Sequence, residues 1–279
     1  MKQIGKDMIE NFKFHLLNAE KSRLTQEKYI RDITSFIKWN MGQELTKQRV
    51  LEYKEYLIGS YAPASVNSML SSLNSFFTYN EWFDCRVKQL KIQKKIFVSE
   101  KKELTKAEYN KLLQAALSQN NRRLYMLMQT ICSTGIRVSE LQYITVEAVK
   151  NGQAVIHCKG KMRVVMLTHE LCRALKSYLH EKKIKSGSVF VSKNGRPLNR
   201  SNIWNDMKKL CEAAGVDKSK VFPHNLRHLF ARTYYSIEKD IVRLADILGH
   251  SNINTTRIYT IETGEIHRKQ LQKLGLLRC

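Results

Sequence analysis

Apolar side chains recur at helical spacing through the first part of the chain, and this pattern stops in one strongly basic stretch. A period of about 3.6 residues runs through 29–37, 50–57 and 66–77, and a weaker one through 9–17. Thr46 precedes the second of these segments and suits the N-cap of a helix. The pattern predicts about four amphipathic helices, enough for a small helical bundle.

The basic stretch from Arg86 to Lys106 carries eight Lys or Arg residues against two Glu. Because the apolar period fades there, we interpret it as a linker between two domains. A run of charge is ordinarily a solvated surface, which is the simpler alternative. The predicted division is a helical domain at 1–85, a linker at 86–103, and a second domain at 104–279 that ends in a tail helix.

Beyond the linker, the pattern predicts helices around one small sheet. Thr105 and Glu108 have the spacing of a capping box, and Gly135 has the position of a helix C-cap. The segments typical of strands are 154–158 and 163–167, which flank a tight turn, and 188–192 as a possible third. Helices resume near 201. The predicted fold class is therefore mainly α with a small β-sheet (α+β).

The charge of the chain favours a polyanionic partner. Lys and Arg total 48 against 25 Asp and Glu, which gives +23 and a pI near 9.8. Such a surplus drives salt-sensitive binding to DNA phosphates, although ribosomal and membrane-surface proteins share it. No segment approaches the roughly 20 apolar residues of a membrane span. The six cysteines form no CxxC pair. We therefore expect a cytoplasmic protein that binds double-stranded DNA and no membrane.

Three segments carry residues suited to chemistry at a phosphodiester: STGIRVSEL with Arg137, PHNLRH with His224 and Arg227, and LADILGHSNINTTRIYT with His250 and Tyr259. An attacked phosphodiester gathers negative charge on its non-bridging oxygens. Arginine stays charged at any cellular pH and can bind two phosphate oxygens at once. Histidine and lysine can supply and accept the protons that a phenol nucleophile and a 5′ leaving group require.

The strings TGIRVSEL, HNLRH, LGHSNINTT and the tyrosine that follows them resemble the signature boxes of the tyrosine recombinase (integrase) family, in the same order and at similar spacing. The boxes run from about Thr134 to Thr260. The resemblance implies a SAM-like helical core-binding domain before a catalytic domain. The chain also resembles the two-domain Xer type and simple mobile-element integrases, because we expect the residues before Leu104 to hold one core-binding domain and no arm-binding domain.

The resemblance also implies a role for each residue of the site. Its catalytic set would be Arg137, Lys159, His224, Arg227, His250 and Tyr259, with Glu140 supporting the first arginine. In this family a hairpin lysine protonates the leaving 5′ oxygen. Lys159 is the better candidate for that role and Lys161 the alternative. His228 lies four residues after His224, a spacing that permits a metal ion, but packing inside the domain is the more ordinary role.

The function implied is site-specific recombination. Tyr259 would form a 3′-phosphotyrosyl link, and a homotetramer on two duplexes would exchange strands through a Holliday junction, with C-terminal tails exchanged between protomers. No ATP, redox cofactor or metal is expected, because the covalent intermediate stores the bond energy. The alternatives are a type IB topoisomerase, which reseals the same strand, and a DNA-binding regulator without activity.

Overall fold

The structure is a computed structural model that describes residues 2–92, 102–158, 161–192, 194–259 and 272–273, with the side chains of Cys158 and Lys161 left aside. The chain forms two compact units, Met1–Lys94 and Lys95–Cys279. Each has its own apolar core.

The first unit is a bundle of helices, as the apolar period predicts. Its helices are α1 (Lys6–Asn18), α2 (Arg23–Asn40), α3 (Lys47–Ser60) and α4 (Pro63–Tyr79), followed by a 3-10 turn at Phe83–Cys85. Thr46 caps α3 by accepting from the amide of Arg49. The core is rich in aromatic rings: Phe12 meets Phe76 edge-on at 5.2 Å, and Phe36 meets Tyr53 at 5.0 Å.

The first residues of the predicted linker attach to this bundle. Asn74 on α4 exchanges two hydrogen bonds with the backbone of Val87, and Asn67 does the same with Leu90. Side-chain amides thus take the place of a strand partner for this extended segment. Residues 93–101 of the linker lie outside the described residues, so its full extent stays a prediction.

The second unit is helical apart from one hairpin. Its helices are α5 (Lys106–Ser118), α6 (Arg122–Thr134), α7 (Val146–Asn151), α8 (His169–Glu181), α9 (Arg200–Ala214), α10 (Pro223–Glu238), α11 (Ile241–Leu248) and α12 (Ile253–Thr256). Short 3-10 turns lie at Val138–Tyr143, Lys218–Lys220 and Arg257–Tyr259. The capping box predicted at Thr105 and Glu108 is present.

The hairpin pairs β1 (Gln153–Cys158) with β2 (Lys161–Met166) in antiparallel register. Its inward face is buried at Ile156 and Val165. The possible strand at 188–192 is reduced to two isolated bridges, Thr145 with Ser188 and Val191 with Pro197. Proline has no amide proton with which to extend the second bridge into a ladder.

The predicted fold class, mainly α with a small sheet, is confirmed. Within the described ranges, no helix has both the length and the apolar character that crossing a membrane would require.

Candidate active site

The site is organised around the C-terminal end of α11. Gly249 ends this helix in the left-handed conformation, with φ of +65°. The amides of Gly249 and His250 turn back to the carbonyls of Asp246 and Ala245 at 2.9 Å each. The carbonyls of the two last helical residues, 247 and 248, are bonded instead by arginine side chains. Cations are stabilised there by the negative end of the helix dipole.

Arg227 is the most deeply buried of these arginines, at 1% exposure. Pro223 starts α10 and places Arg227 one turn into it. Its guanidinium donates to the carbonyl of Gly135 at 2.6 Å, to that of Leu248 at 2.8 Å, and to Nε2 of His250 at 2.9 Å. Burial, and then the charge of Arg137, lowers its pKa to about 10, so it remains a cation at neutral pH.

Arg137 follows the turn that ends α6. Gly135 makes this turn with φ of +65°, and a Cβ there would overlap the ring of Phe230. The Arg137 guanidinium donates from Nη1 to Glu140 at 2.9 Å and more weakly to the carbonyl of Leu248 at 3.5 Å. Its side chain is 38% exposed and lines an open cleft, so it is accessible to a ligand.

Glu140 is a buried carboxylate, at 1% exposure, that serves two arginines. It accepts from the amide of Arg137 at 2.8 Å and from Nη2 of Arg163 at 2.7 Å, in addition to the Arg137 guanidinium. Burial opposes its ionisation, yet the hydrogen bonds and charges of Arg137 and Arg163 outweigh that effect and lower its pKa. It therefore holds the first arginine in place, as the resemblance implied.

His250 links Arg227 to Thr256. Its Nε2 lies 2.9 Å from the guanidinium and its Nδ1 2.8 Å from Oγ1 of Thr256, which is fully buried. A guanidinium can only donate, so Nε2 accepts and the proton lies on Nδ1. Burial, followed by the charges of Arg227 and Arg137, lowers the pKa of His250 to about 4. The ring is therefore neutral at neutral pH.

Tyr259 reaches the same cluster from the 3-10 turn after α12. Its side chain is 4% exposed and its ring meets His228 edge-on at 4.9 Å and stacks on His250 at 6.2 Å. His228 in turn contacts His224, whose ring centroid lies 4.5 Å away. Partial burial of its ring, and then the charges of Arg227 and Arg137, lower the pKa of His224, although part of this residue remains exposed to solvent.

The structure thus brings together five of the six residues predicted for the site: Arg137, His224, Arg227, His250 and Tyr259. Lys159 lies outside the described residues, as does the side chain of the alternative, Lys161.

Two further contributors were missed in the sequence, Arg163 and Thr256. Arg163 pairs with the buried Ile156 on the inward face of the hairpin, and an arginine at an inward strand position is a readable signal. Thr256 carries no comparable signal, because its role depends on the loop that follows α11.

An open cleft of about 610 Å³ lies beside this cluster. Arg137, Arg163, His250 and Ser251 are among the residues that line it. The guanidiniums of Arg137 and Arg163 and the hydroxyl of Ser251 can contribute to binding an oxyanion such as a phosphate group, while the carboxylates of Glu140 and Asp246 line the same cleft.

Comparison with known proteins gives one consistent result. Residues 102–265 match the "Phage integrase family". The chain is 30% identical over 279 residues to "Tyrosine recombinase XerA" of Thermococcus kodakarensis, covering 97% of this chain and 96% of that protein. Its fold is similar to that of XerH recombinase bound to its difH substrate, with a TM-score of 0.70 at 22% identity over 93% of this chain and 82% of that one.

A second solved structure, a lambda integrase tetramer bound to a Holliday junction, is similar with a TM-score of 0.72 at 18% identity. The match covers 91% of this chain and 76% of that one. At this identity the likeness concerns the fold.

Proposed function

The chain belongs to the phage integrase family of tyrosine recombinases, enzymes that cut and rejoin DNA strands, and we propose that Tyr259 is its nucleophile in site-specific recombination. The phenolic oxygen attacks a DNA phosphorus, the bond from phosphorus to the 5′ oxygen breaks, and a 3′-phosphotyrosyl link forms. The freed 5′ hydroxyl then attacks the corresponding link on a second duplex, which releases the phenol.

Arg137 and Arg227 form the phosphate clamp in this proposal. The exposed part of Arg137 binds one non-bridging oxygen. Arg227 is buried and contributes its positive charge from inside the domain. The observation that carries the proposal is the bonding of Arg227, whose guanidinium joins the turn before Arg137 to the turn that carries His250. Donors fixed before the substrate arrives stabilise developing charge without reorganising.

Protons move through the remaining residues. Lys159 donates to the leaving 5′ oxygen, and His224 exchanges a proton with the attacking phenol. Nε2 of His250 is an acceptor in the DNA-free chain, so it must gain a proton before it can donate to a phosphate oxygen. The negative phosphate favours that gain, because an anion nearby raises the pKa of an imidazole.

The similarity to tyrosine recombinases also suggests how the protein assembles on DNA. The proposed unit is a homotetramer on two duplexes that passes through a Holliday junction, and we expect it to act in the cytoplasm. The tail after Tyr259 docks on a neighbouring protomer. An apolar cleft lined by Tyr109, Leu229, Phe230 and Ile237 is a suitable acceptor for its leucines. Deleting 266–279 is then expected to preserve binding to a single site and abolish synapsis of two sites.

A type IB topoisomerase would share the chemistry and reseal the same strand. The match to a recombinase along nearly the whole chain does not favour it. Supercoil relaxation measured beside two-site strand exchange separates the two activities, and the recombinase is expected to need two sites for its product.

The nucleophile is tested on a nicked suicide substrate, which traps the covalent intermediate. Tyr259→Phe removes one hydroxyl and is expected to bind the site normally and give no SDS-resistant adduct. Tyr235→Phe, a change of the same kind on α10, is the matched control and is expected to give the wild-type amount. An adduct formed by Tyr259→Phe would assign the nucleophile to another residue.

A further inference from the structure

Arg163 occupies an inward position on β2 that ordinarily holds an apolar residue. Its strand partner, Ile156, and its neighbour on the same face, Val165, are both buried. A charge placed there loses hydration and must be compensated by hydrogen bonds. Arg163 has two such bonds, from Nη2 to Glu140 at 2.7 Å and from Nη1 to the carbonyl of Ile247. The guanidinium fork therefore ties the hairpin to Glu140 and to the end of α11.

The bond to Glu140 changes the charge that Arg137 can offer a phosphate. One buried carboxylate here faces two guanidiniums, and its oxygens accept from Arg137 at 2.9 Å and from Arg163 at 2.7 Å. With Arg163 in place, the pair of arginines keeps one positive charge in excess. Without it, Glu140 would neutralise Arg137 alone, and the attraction of Arg137 for an incoming anion would fall.

A separate contact joins Arg163 to the turn that carries His250. A Cβ built on Gly249 would lie 2.5 Å from Cδ and 2.7 Å from Nε of Arg163. The stem of Arg163 thus covers the space that a side chain at 249 would need. The turn at Gly249 therefore restricts where the Arg163 side chain can lie, and the Arg163 side chain restricts the turn in the same way.

We propose that Arg163 is a positioning residue for DNA cleavage, which shares the carboxylate of Glu140 so that Arg137 keeps its charge for the scissile phosphate. This inference rests on the proposed role of Arg137. In this proposal the hairpin has two roles: Lys159 in its turn protonates the leaving oxygen, and Arg163 on β2 positions Glu140 and Arg137.

The first experiment replaces Arg163 with lysine, which keeps the charge and loses the fork. Cleavage of the suicide substrate is followed at saturating protein and normalised to the fraction of protein that binds the site. Arg163→Lys is expected to cleave about 100-fold more slowly, because small displacements of catalytic groups cost that much. Its affinity for the site is expected to stay within about threefold, since phosphate contacts elsewhere dominate binding.

Arg123→Lys is the matched control. Arg123 also bonds to one carboxylate, that of Asp206 at 3.3 Å, and to one carbonyl, that of Val191 at 3.5 Å, within the same unit. It does not line the cleft beside the site. Arg123→Lys is expected to cleave at the wild-type rate. Arg163→Gln, which also removes the charge that offsets Glu140, is measured in parallel and is expected to cleave more slowly than Arg163→Lys, whereas a rate near wild type would overturn the role of Arg163.

The second experiment asks through which residue Arg163 acts. If it acts through Glu140 on Arg137, the loss caused by Arg163→Lys shrinks in an Arg137→Lys background, because both changes remove the same interaction. A substrate with sulfur at the bridging 5′ position needs little protonation of its leaving group. It is expected to rescue Lys159→Ala and leave Arg163→Lys slow, which separates Arg163 from the protonation of the leaving group.

The outcomes separate this inference from the proposed function. A slow Arg137→Lys beside a fast Arg163→Lys overturns the role of Arg163 alone. The role of Arg163 is also overturned if the rate losses of Arg137→Lys and Arg163→Lys multiply in the double variant. Rescue of Arg163→Lys by the sulfur substrate would overturn it as well. A fast Arg137→Lys overturns the phosphate clamp itself.

Discussion

Asp32 in the first unit and Arg227 in the second are buried charged residues with different kinds of partner. In the first unit, the buried carboxylate of Asp32 bonds to Lys28 at 2.6 Å and to the hydroxyl of Ser72 at 2.8 Å. In the second, Arg227 bonds to two carbonyls and a neutral imidazole, and no described carboxylate lies within hydrogen-bonding distance of it.

This difference assigns different purposes to the two buried charges. The charge of Asp32 is balanced by Lys28, whereas Arg227 has no carboxylate within hydrogen-bonding distance among the described residues, so its burial costs folding free energy and it keeps an attraction for an anion. In the second unit, the unfavourable burial of Arg227 occurs at the place where we propose that a phosphate binds. The comparison therefore predicts that changes in the first unit act on stability and changes around α11 act on cleavage.

The largest effect is expected from Gly249→Ala. The new Cβ would displace Arg163, and cleavage is expected to fall by at least about 100-fold because the turn carries His250. Gly215→Ala and Gly42→Ala are matched controls, since both glycines have positive φ with open space around them. All three variants should lose some stability from backbone strain, and Gly249→Ala should lose more because its Cβ displaces Arg163 from its bonds to Glu140 and Ile247. Equal cleavage rates in the three would show that the contact with Arg163 is unimportant.

Asp32→Ala is expected to lower the stability of the first unit and to leave cleavage unchanged. It leaves Lys28 without its carboxylate, and because that lysine is 31% exposed and can reach water, we expect a loss of about 2 kcal/mol in the unfolding free energy of the first unit. Urea unfolding followed by Trp39 and Trp82 fluorescence, in a Trp204→Phe background, measures it. The cleavage rate of DNA-bound protein should not change. A large drop in that rate would break the division between the two units.

A smaller effect is expected from pH. Burial, then the charges of His224 and Arg227, lowers the pKa of His228 to about 4, and burial and Arg227 do the same for His250. An unfolded histidine titrates near 6.5. Below 6.5 the unfolded chain binds protons that the folded chain excludes until about pH 4, so stability is lost as pH falls through this window.

Each histidine contributes at most about 1.4 kcal/mol per pH unit to that slope. His228→Asn is expected to reduce the slope for the second unit, measured by urea unfolding with Trp204 fluorescence. An unchanged slope would mean that His228 is not buried as a neutral ring.

Local pattern in the sequence predicted most of the fold. The helical period placed the bundle, the segments typical of strands placed the hairpin, and Gly135 marked a helix end that has the left-handed conformation. These features depend on neighbours within a few residues, which a sequence displays directly.

The arrangement of the site is a different matter. Arg227 bonds to the backbone of residues 92 and 21 positions away, and a backbone carbonyl has no signature in the sequence. The grouping of these residues came from the resemblance to a family, whereas the sharing of Glu140 between Arg137 and Arg163 required coordinates.

The central claim is that the buried charge of Arg227 is held for a phosphate, and the cleavage rate of Arg227→Lys at saturating DNA tests it most directly. Lysine keeps the charge and cannot reach two carbonyls and His250 at once. We predict a rate at least about 100-fold below wild type with affinity for the site within about threefold. Arg49→Lys, which removes a guanidinium stacked 4.1 Å from the ring of Trp39 in the first unit, should cleave at the wild-type rate. A rate for Arg227→Lys within a few-fold of wild type would contradict the claim.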